Sequence, residues 1–285
     1  MEEINSGRKM KNVCVLLSTY NGEKYLKEQL DSILAQTYTD WTLYIRDDGS
    51  RDNTVAIIDS YVAKYENIKK LPSEGNVGVI HSFELLLKGV EADYYFFCDQ
   101  DDFWLPTKLQ KSMDKMLETE QQCPNVPMGV FCDAKVVDEN LNEIFPSFWE
   151  ISRIKPALLD TFERLAVHNA AAGCTMLINH AAKVCSLPFV EEVRMHDYWI
   201  LLSILAKGGK LAYVDEALML YRQHGGNVIG AHEENNGYVV KKFKALSAVV
   251  NDNKKQLRML SKLGFNSLPK YLYYKMWYFF KYRNA

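Results

Sequence analysis

Three aspartates, Asp99, Asp101 and Asp102, directly follow the apolar run YYFFC at residues 94–98. Carboxylates this close together repel one another, and a bound cation is the usual remedy. In an extended backbone Asp99 and Asp101 point to the same side about 7 Å apart, where both can share a divalent cation directly or through water. Such oxygen ligands suit Mg²⁺ or Mn²⁺, which also bind substrate phosphates. The cluster therefore predicts a metal and diphosphate site in preference to a solvated acidic turn.

Three further polar segments end predicted strands earlier in the chain. They are Ser18-Thr19-Tyr20-Asn21-Gly22, Asp47-Asp48-Gly49-Ser50 and Gly75-Asn76-Val77-Gly78. Open parallel sheets bind ligands outside the carboxyl ends of their strands, so these segments are candidates for one ligand site. Each segment alone is also typical of a strand-to-helix turn, because these residue types cap helices and tolerate positive φ. No GxGxxG or GxxxxGK[ST] motif accompanies them, so neither a dinucleotide fingerprint nor a P-loop is indicated.

Strands and helices must alternate to bring these segments together. Four strands are predicted in the first hundred residues, at 13–18, 42–46, 68–71 and 94–98. Each precedes a helical pattern, which implies right-handed βαβ units and a mostly parallel sheet buried on both faces. Three later strands are predicted at 128–138, 173–179 and 210–224. A buried helix is predicted at 198–209, and residues 139–170 show no clear period.

The composition fits one large α/β domain with an appendage, since the chain has 285 residues and 48% apolar content. Its net charge of −2 argues against a nucleic-acid partner, but the charge is uneven. Residues 237–285 contain eleven Lys or Arg and one acid, a net charge of +10 against −12 for the rest. Apolar residues from Val239 through Phe243, Leu246 and Val250 recur at mostly helical spacing. We predict a catalytic domain at 1–236 and a basic, aromatic-rich helical extension at 237–285.

The cysteines and the apolar runs indicate the cellular location. The six cysteines show no CxxC spacing, and the first residues lack the apolar core of a signal peptide. No stretch approaches the ~18 apolar residues that a membrane span needs. Residues 270–285 contain eight aromatic and four basic residues without an acid, a composition typical of a bilayer interface. We expect a cytoplasmic protein at the inner face of the cell membrane, although a homodimer contact or a helix packed on the core uses aromatic residues too.

The motifs in combination resemble glycosyltransferase family 2. The segments that carry the resemblance, in the family's order over residues 11–230, are STYNGEKYLKEQLDSILAQTYTDW, RDDGSRDNT, GNVGV, DQDDFWLPTKL, HDYW and YRQHGGN. The resemblance implies an α/β GT-A fold with a Rossmann-like central sheet flanked by helices. It also implies an inverting, metal-dependent glycosyltransferase. DQDDFW, HDYW and YRQHGGN are most similar to bacterial rhamnosyltransferases of polysaccharide assembly, which implies dTDP-L-rhamnose as donor and a lipid-linked or growing polysaccharide as acceptor.

The resemblance also implies roles for individual residues. The implied nucleotide-binding set is Thr19, Tyr20, Asn21, Asp48, Asn76, Gly78, Asp99, Gln100 and Arg222. Tyr20 is expected to stack on the base, and Asp48 to accept a hydrogen bond from the ring N–H of uracil or thymine, which favours a UDP- or dTDP-sugar. The implied ligands of Mg²⁺ or Mn²⁺ are Asp99, Asp101 and His224, with Asp101 the direct ligand and Asp99 nearer the ribose or a metal-bound water.

Two later segments contain the implied catalytic base and the residues that close the site. Asp197 in MHDYW is expected to take the proton of the acceptor hydroxyl, although an N-cap is its ordinary role. Many relatives have Glu where His196 stands, which leaves the role of that position open. Arg222 and His224 precede the Gly225-Gly226 hinge of a closing loop, as a diphosphate contact and a third metal ligand. The QxxRW motif of processive relatives is absent, which favours single addition.

Two other functions remain open on the sequence alone. A nucleotidyltransferase that makes a nucleotide sugar also combines an α/β sheet with paired carboxylates, but STYNGEKY lacks its Gly- and Lys/Arg-rich triphosphate loop. A non-catalytic sugar-binding scaffold is the other alternative. The aspartates Asp48, Asp99, Asp101 and Asp197 are all present, which argues against a decayed site.

Overall fold

The computed structural model describes residues 11–224 and 253–283. The strands are β1 (Val13–Thr19), β2 (Thr42–Asp47), β3 (Ile68–Lys70), β4 (Tyr94–Cys98), β5 (Phe103–Trp104), β6 (Met128–Val137), β7 (Glu143–Phe145), β8 (Met176–Asn179) and β9 (Lys210–Arg222). The helices are α1 (Leu26–Leu34), α2 (Thr54–Lys64), α3 (Val79–Gly89), α4 (Lys108–Gln122), α5 (Phe148–Ile151), α6 (Phe162–Leu165), α7 (His180–Ser186), α8 (His196–Ala206), α9 (253–261) and α10 (Leu268–Arg283). The Gly225-Gly226 hinge and the helical positions from Val239 to Val250 lie outside the described residues.

The strands form one sheet in the order β3-β2-β1-β4-β8-β6-β9-β5, with β7 paired to β6. The half containing β1 to β4 is parallel, as predicted from the alternation of strands and helices. The other half is mixed, because β8 runs antiparallel to both β4 and β6 while β9 runs parallel to β6. Among the described residues, most parallel strand pairs therefore lie in the half whose strands end in the polar segments.

The central strands separate two hydrophobic layers. Alternate residues of β1 point to opposite faces, so Cys14 and Leu16 join one layer while Val15 and Leu17 join the other. Helices α3 and α8 cover the first face, and α1 and α4 cover the second. Because both faces are buried, β1 and β4 read as continuous apolar runs, and their polar residues begin only where the strands end.

The C-terminal extension packs against the first hydrophobic layer. Met259, Phe265, Tyr271 and Tyr278 are buried in it, so the described part of the extension shares a core with the rest of the chain. The hydroxyl of Tyr278 donates to the carbonyl of Arg153 at 2.7 Å and accepts from the N–H of Lys155 at 3.0 Å. None of the described helices is long and apolar enough to cross a bilayer.

Candidate active site

A cavity of about 750 Å³ opens at the carboxyl ends of β1, β2 and β4, where the parallel sheet predicts a ligand. Nine of the predicted site residues line it: Thr19, Tyr20, Asp48, Asn76, Gly78, Asp99, Gln100, Asp101 and Asp197. Asn21, Arg222 and His224 are not among the residues that line the cavity. The fold thus brings the strand-end segments and the HDYW helix into a single site.

Asp48 is a buried acceptor that holds the neighbouring loop in place. Its Oδ1 accepts from Arg46 at 2.6 Å and from the N–H of Val77 at 2.8 Å, and its Oδ2 accepts from the N–H of Gly78 at 2.8 Å. Gly78 has a φ of +81°, which a side chain disfavours. A carboxylate oxygen accepts two hydrogen bonds, and within the described residues Oδ2 has this one partner. Asp48 can therefore still accept from a ring N–H.

Tyr20 presents its ring to the cavity while its main chain is held by Gln100. The side-chain amide of Gln100 accepts from the N–H of Tyr20 at 2.8 Å and donates to its carbonyl at 2.9 Å. The ring is 46% exposed, which suits stacking on a planar base. Gly22 leaves room for this arrangement, since a Cβ there would lie 2.2 Å from the Gln100 Oε1. Gln100 thus positions the ring, in addition to lining the cavity.

Asn21 and Thr19 connect the turns of the first two strands. The N–H of Asn21 donates to Ser50 Oγ and its Oδ1 accepts from the N–H of Arg51, both at 2.8 Å. Its φ of +48° turns its side chain toward this turn and away from the cavity. The Thr19 hydroxyl donates to Asp47 at 3.0 Å. Of the residues in this segment that were predicted to form the base pocket, Tyr20 is the one that presents an exposed ring to the cavity.

The aspartate cluster at the end of β4 is desolvated and self-repelling. Burial, followed by the charges of Asp101 and Asp197, raises the pKa of Asp99 to about 7. Burial also raises the pKa of Asp102 well above its usual value. The Oδ2 of Asp102 is buried without a hydrogen-bond partner among the described residues. Asp99, Asp102 and Cys174 place ligand-type atoms within 4.8 Å of one another.

These residues fit a divalent cation. The unpartnered oxygen of Asp102 and the repulsion between Asp99 and Asp101 are both relieved by a positive charge. His224 lies behind the cluster, with its Nε2 2.8 Å from the Oδ2 of Asp101 and its ring 4.7 Å from that of Tyr25. Carboxylate oxygens suit Mg²⁺ or Mn²⁺, and an imidazole beside them suits Mn²⁺ as well.

Arg222 supports the acidic turn from behind, and its contact with a diphosphate stays a prediction. The side chain is 1% exposed. Its Nε donates to the carbonyl of Asp101 at 2.7 Å, and its backbone N–H donates to the Oδ1 of Asp102 at 3.1 Å. The guanidinium pairs with Glu28 and lies 4.5 Å from the centre of the Tyr25 ring. Arg222 is therefore placed to fix the turn that carries the carboxylates.

Asp197 faces the cavity from the first turn of α8. Burial raises its pKa to about 6, although backbone N–H groups of Tyr198 and Gly173 and the side chain of Asn169 donate to it. A carboxylate with this pKa is mostly ionised at neutral pH and is still basic enough to accept a proton. Its side chain is not an N-cap, because the cap position of α8 is Met195.

His196 is buried beside the candidate base and carries no charge. Its ring stacks on Phe83 at 4.1 Å, and burial lowers its pKa to about 3. Neither ring nitrogen has a hydrogen-bond partner among the described residues. A Cβ on Gly173 would lie 2.5 Å from its Nε2. His196 therefore supports the start of α8 by packing. It does not take the place of the Glu that many relatives have at this position.

The sequence did not indicate several residues of the cavity. Asn169 and Gly173 donate to Asp197. Asn169 lies within residues 139–170, the segment without a hydrophobic period, and Gly173 just follows it. Arg194 and Lys275 also line the cavity, the second of them from the extension. A polar residue in an irregular segment gives no signal of its own, so only the folded chain reveals these positions.

Comparison with known proteins places the chain among glycosyltransferases. Residues 14–184 match the family model for glycosyl transferase family 2. The chain is 31% identical over 248 residues to the dTDP-rhamnosyl transferase RfbG of Shigella flexneri, covering 82% of this chain and 79% of that protein. It is 28% identical over 195 residues to the Escherichia coli UDP-Glc:alpha-D-GlcNAc-diphosphoundecaprenol beta-1,3-glucosyltransferase WfgD, covering 68% of this chain and 69% of that protein.

Solved glycosyltransferase structures share the fold. The mannosyltransferase PcManGT of Pyrobaculum calidifontis, in complex with GDP-Man and Mn²⁺, superposes with a TM-score of 0.62 at 15% identity over 94% of this chain and 70% of that one. Residues 1–349 of Staphylococcus aureus TarS, in complex with UDP, give 0.59 at 17% identity over 96% and 91%. A longer TarS structure is matched over 37% of its length. The predicted GT-A fold is confirmed, and the chain belongs to glycosyltransferase family 2 as a glycosyltransferase enzyme.

Proposed function

We propose that this glycosyltransferase transfers a sugar, with L-rhamnose the first candidate, from a dTDP- or UDP-sugar to a hydroxyl of a lipid-linked or growing polysaccharide acceptor. The observation that carries the proposal is that Asp99, Asp101 and Asp197 line one cavity. The activities in the names of RfbG and WfgD support a dTDP- or UDP-linked donor and, for WfgD, a diphosphoundecaprenol acceptor. The nucleotidyltransferase and scaffold alternatives lose their support with the family assignment.

The donor binds at the end of the cavity formed by β1, β2 and β4. The exposed ring of Tyr20 stacks on the base, and the free acceptor capacity of Asp48 Oδ2 receives the ring N–H of uracil or thymine. Asn76 and Gly78 form the adjoining wall. Guanine carries a ring N–H as well, so the preference for a pyrimidine nucleotide rests on the dTDP- and UDP-linked donors in the names of RfbG and WfgD.

Asp99, Asp101 and His224 would hold the divalent cation in this proposal. A bound Mg²⁺ or Mn²⁺ would neutralise the charge that develops on the departing diphosphate. His224 is placed to be the third ligand because its Nε2 lies 2.8 Å from the Oδ2 of Asp101. Arg222 keeps the carbonyl of Asp101 and the carboxylate of Asp102 in place, and so positions the turn next to the diphosphate that it is predicted to contact.

Asp197 is the proposed general base. An acceptor hydroxyl attacks the anomeric carbon from the face opposite the nucleotide, so the new glycosidic bond forms as the bond to the diphosphate breaks and the configuration inverts. The hydroxyl proton passes to a carboxylate oxygen of Asp197. The hydrogen bonds from Asn169 and Gly173 orient this carboxylate.

A lipid surface is the proposed location of the reaction, at the inner face of the cytoplasmic membrane. Helix α10 exposes large apolar side chains, namely Leu268, Leu272, Tyr273, Met276, Phe279 and Phe280. The same helix contains Lys270, Lys275 and Lys281 and no acid, which complements an anionic bilayer. The protein is expected to float with anionic phospholipid vesicles and not with neutral ones. Equal recovery with both, or self-association that depends on Phe279 and Phe280, would favour the homodimer alternative.

The experiment that tests the function is a calorimetric titration of UDP-, dTDP- and GDP-sugars with Mn²⁺, with Mg²⁺ and with chelator. Binding of one dTDP- or UDP-sugar that is lost with chelator is the expected result. Binding of GDP-sugars alone would contradict the proposed dTDP- or UDP-sugar donor. Absence of binding with either metal would contradict the metal and diphosphate site.

A further inference from the structure

A buried thiol lies next to the aspartate cluster, outside the cavity wall. Cys174 is in the short 3-10 turn Gly173–Thr175, and neither it nor Asp102 is among the residues that line the cavity. Both side chains are 1% exposed. One carboxylate oxygen from each of Asp99 and Asp102 and the Sγ of Cys174 lie within 4.8 Å of one another. Asp99 also lines the cavity, so it connects this buried pair with the ligand site.

The Asp102 carboxylate is only half satisfied within the described part of the chain. Its Oδ1 accepts from the backbone N–H of Arg222 at 3.1 Å, whereas its Oδ2 is buried without a hydrogen-bond partner among the described residues. A carboxylate oxygen in this state costs free energy until a cation or a donor meets it. Asp102 is not one of the ligands proposed for the catalytic ion, so that ion does not account for it.

A buried ammonium near this set does not neutralise the carboxylate by contact. Lys108 is fully buried, and its charge acts on Cys174. Its Nζ lies 3.7 Å from the Sγ of Cys132 and 4.7 Å from the centre of the Trp104 ring. Among the described residues it forms no ion pair with Asp102. The two carboxylates and the thiol therefore remain the groups that a divalent cation would bind.

Sulfur distinguishes this set from the ligands proposed for the catalytic ion. Mg²⁺ takes oxygen ligands, whereas Zn²⁺, Cd²⁺ and Co²⁺ also bind thiolates. Burial, followed by the charges of Asp102 and Asp99, raises the pKa of Cys174 well above its usual value. The thiol therefore keeps its proton beside Mg²⁺, and a thiophilic ion that binds displaces this proton to solvent.

We propose that Asp99, Asp102 and Cys174 form a second metal site behind the catalytic one, which binds Zn²⁺ or another thiophilic divalent cation. The catalytic ion is proposed to use Asp101 and His224, which lie outside this set. Asp99 belongs to both sets of ligands, so an ion held by Cys174 withdraws it from the catalytic ion. Thiophilic cations are therefore expected to compete with donor binding. The buried site stands without the proposed function, and this competition rests on it.

The test measures Co²⁺ binding by absorption spectroscopy, because a bond between Co²⁺ and a thiolate gives a near-ultraviolet charge-transfer band that oxygen and nitrogen ligands do not give. The background protein carries Cys123→Ser and Cys185→Ser, which remove the two half-buried thiols, and is expected to show the band. Cys174→Ser is expected to abolish the band, and Asp102→Asn to raise the Kd read from it about tenfold. Cys14→Ser removes another buried thiol outside the site and is the matched control.

Absence of the band in the background protein, or equal loss of it in Cys174→Ser and Cys14→Ser, would overturn the inference. Thermal unfolding without metal reports the folding of each variant. Cys174→Ala provides a second comparison if the serine variant does not fold. The background protein is decisive in either case, since without a band there is no thiolate ligand.

Asp101→Asn separates the two metal sites. It is expected to weaken Mn²⁺ binding with dTDP or UDP at least about tenfold, as read by electron paramagnetic resonance, and to leave the cobalt band in place. Loss of the band in this variant would mean one shared site and would contradict the second one. Failure of the wild-type protein to bind Mn²⁺ with either nucleotide contradicts the proposed function, whereas Zn²⁺ that leaves the Kd of the nucleotide unchanged contradicts the sharing of Asp99.

Discussion

The strand-end part of the cavity, proposed to bind the donor, and the part walled by the extension, proposed to face the acceptor, are built in different ways. At the donor end, short turns follow buried parallel strands, and Asp48 is fixed there by hydrogen bonds from Arg46 and two backbone N–H groups. At the acceptor end, the wall consists of irregular segments and the C-terminal extension, with exposed basic groups at the rim. The rigid end suits the nucleotide and metal chemistry, and the variable end suits the choice of acceptor.

The largest test of this division is Asp197→Asn, because Asp197 lies where the two ends meet. Loss of the base is expected to lower kcat about 10³-fold, while the Kd of the donor stays unchanged. Initial rates and donor titrations measure the two quantities. Asp160→Asn, an equivalent change on the exposed surface, is the control. A parallel loss of donor binding would show that Asp197 belongs to the donor end.

Asp48→Ala tests the rigidity of the donor end. It leaves the buried guanidinium of Arg46 without its carboxylate, which is expected to lower the free energy of unfolding by about 3 kcal/mol. Denaturant unfolding measures this change. Asp59→Ala breaks the exposed pair with Lys70 and is expected to cost less than about 1 kcal/mol. Similar losses for both variants would mean that the Asp48 network does not hold this end together.

The pH dependence of transfer tests the junction of the two ends. The base acts in its ionised form, and burial raises the pKa of Asp197 to about 6. Activity is therefore present above pH 6 and is lost as the pH falls through this value, by about tenfold per unit below it. The profile of kcat/KM against pH measures the effect. The residual activity of Asp197→Asn is expected to lack this acidic limb, and its persistence would assign the titration to another group.

The smallest expected effect concerns the attachment of the extension. Tyr278→Phe removes the hydroxyl that joins α10 to the backbone at Arg153 and Lys155, which is expected to cost about 1 kcal/mol of stability. Thermal unfolding measures the change. Tyr273→Phe on the exposed side of the same helix is the control. If Tyr278→Phe also alters the KM for the donor, then the extension is not confined to the acceptor end.

The sequence was most informative about the donor end, for a physical reason. A strand buried on both faces reads as an apolar run that ends where its polar turn begins, so residues 13–18 and 94–98 predicted β1 and β4 to within a residue. The direction of β8 could not be predicted, because it depends on the path of the irregular segment before it.

Residues with distant partners were harder to interpret. The guanidinium of Arg222 pairs with Glu28, far earlier in the chain, which the sequence did not predict. Local spacing contains no information about such a partner. The same holds for Lys275, whose place at the cavity depends on how α10 packs on the core.

The contact between Gly173 and His196 constrains the evolutionary history of the site. A side chain at position 173 would collide with the imidazole, whose position is fixed by the ring of Phe83. A smaller residue at position 196 must therefore arise before any substitution of the glycine can be tolerated. Because the N–H of Gly173 also donates to Asp197, the reverse order would pass through an ancestor with a displaced base. The two positions are expected to show strong sign epistasis, in which the order of the substitutions decides whether the lineage keeps its activity.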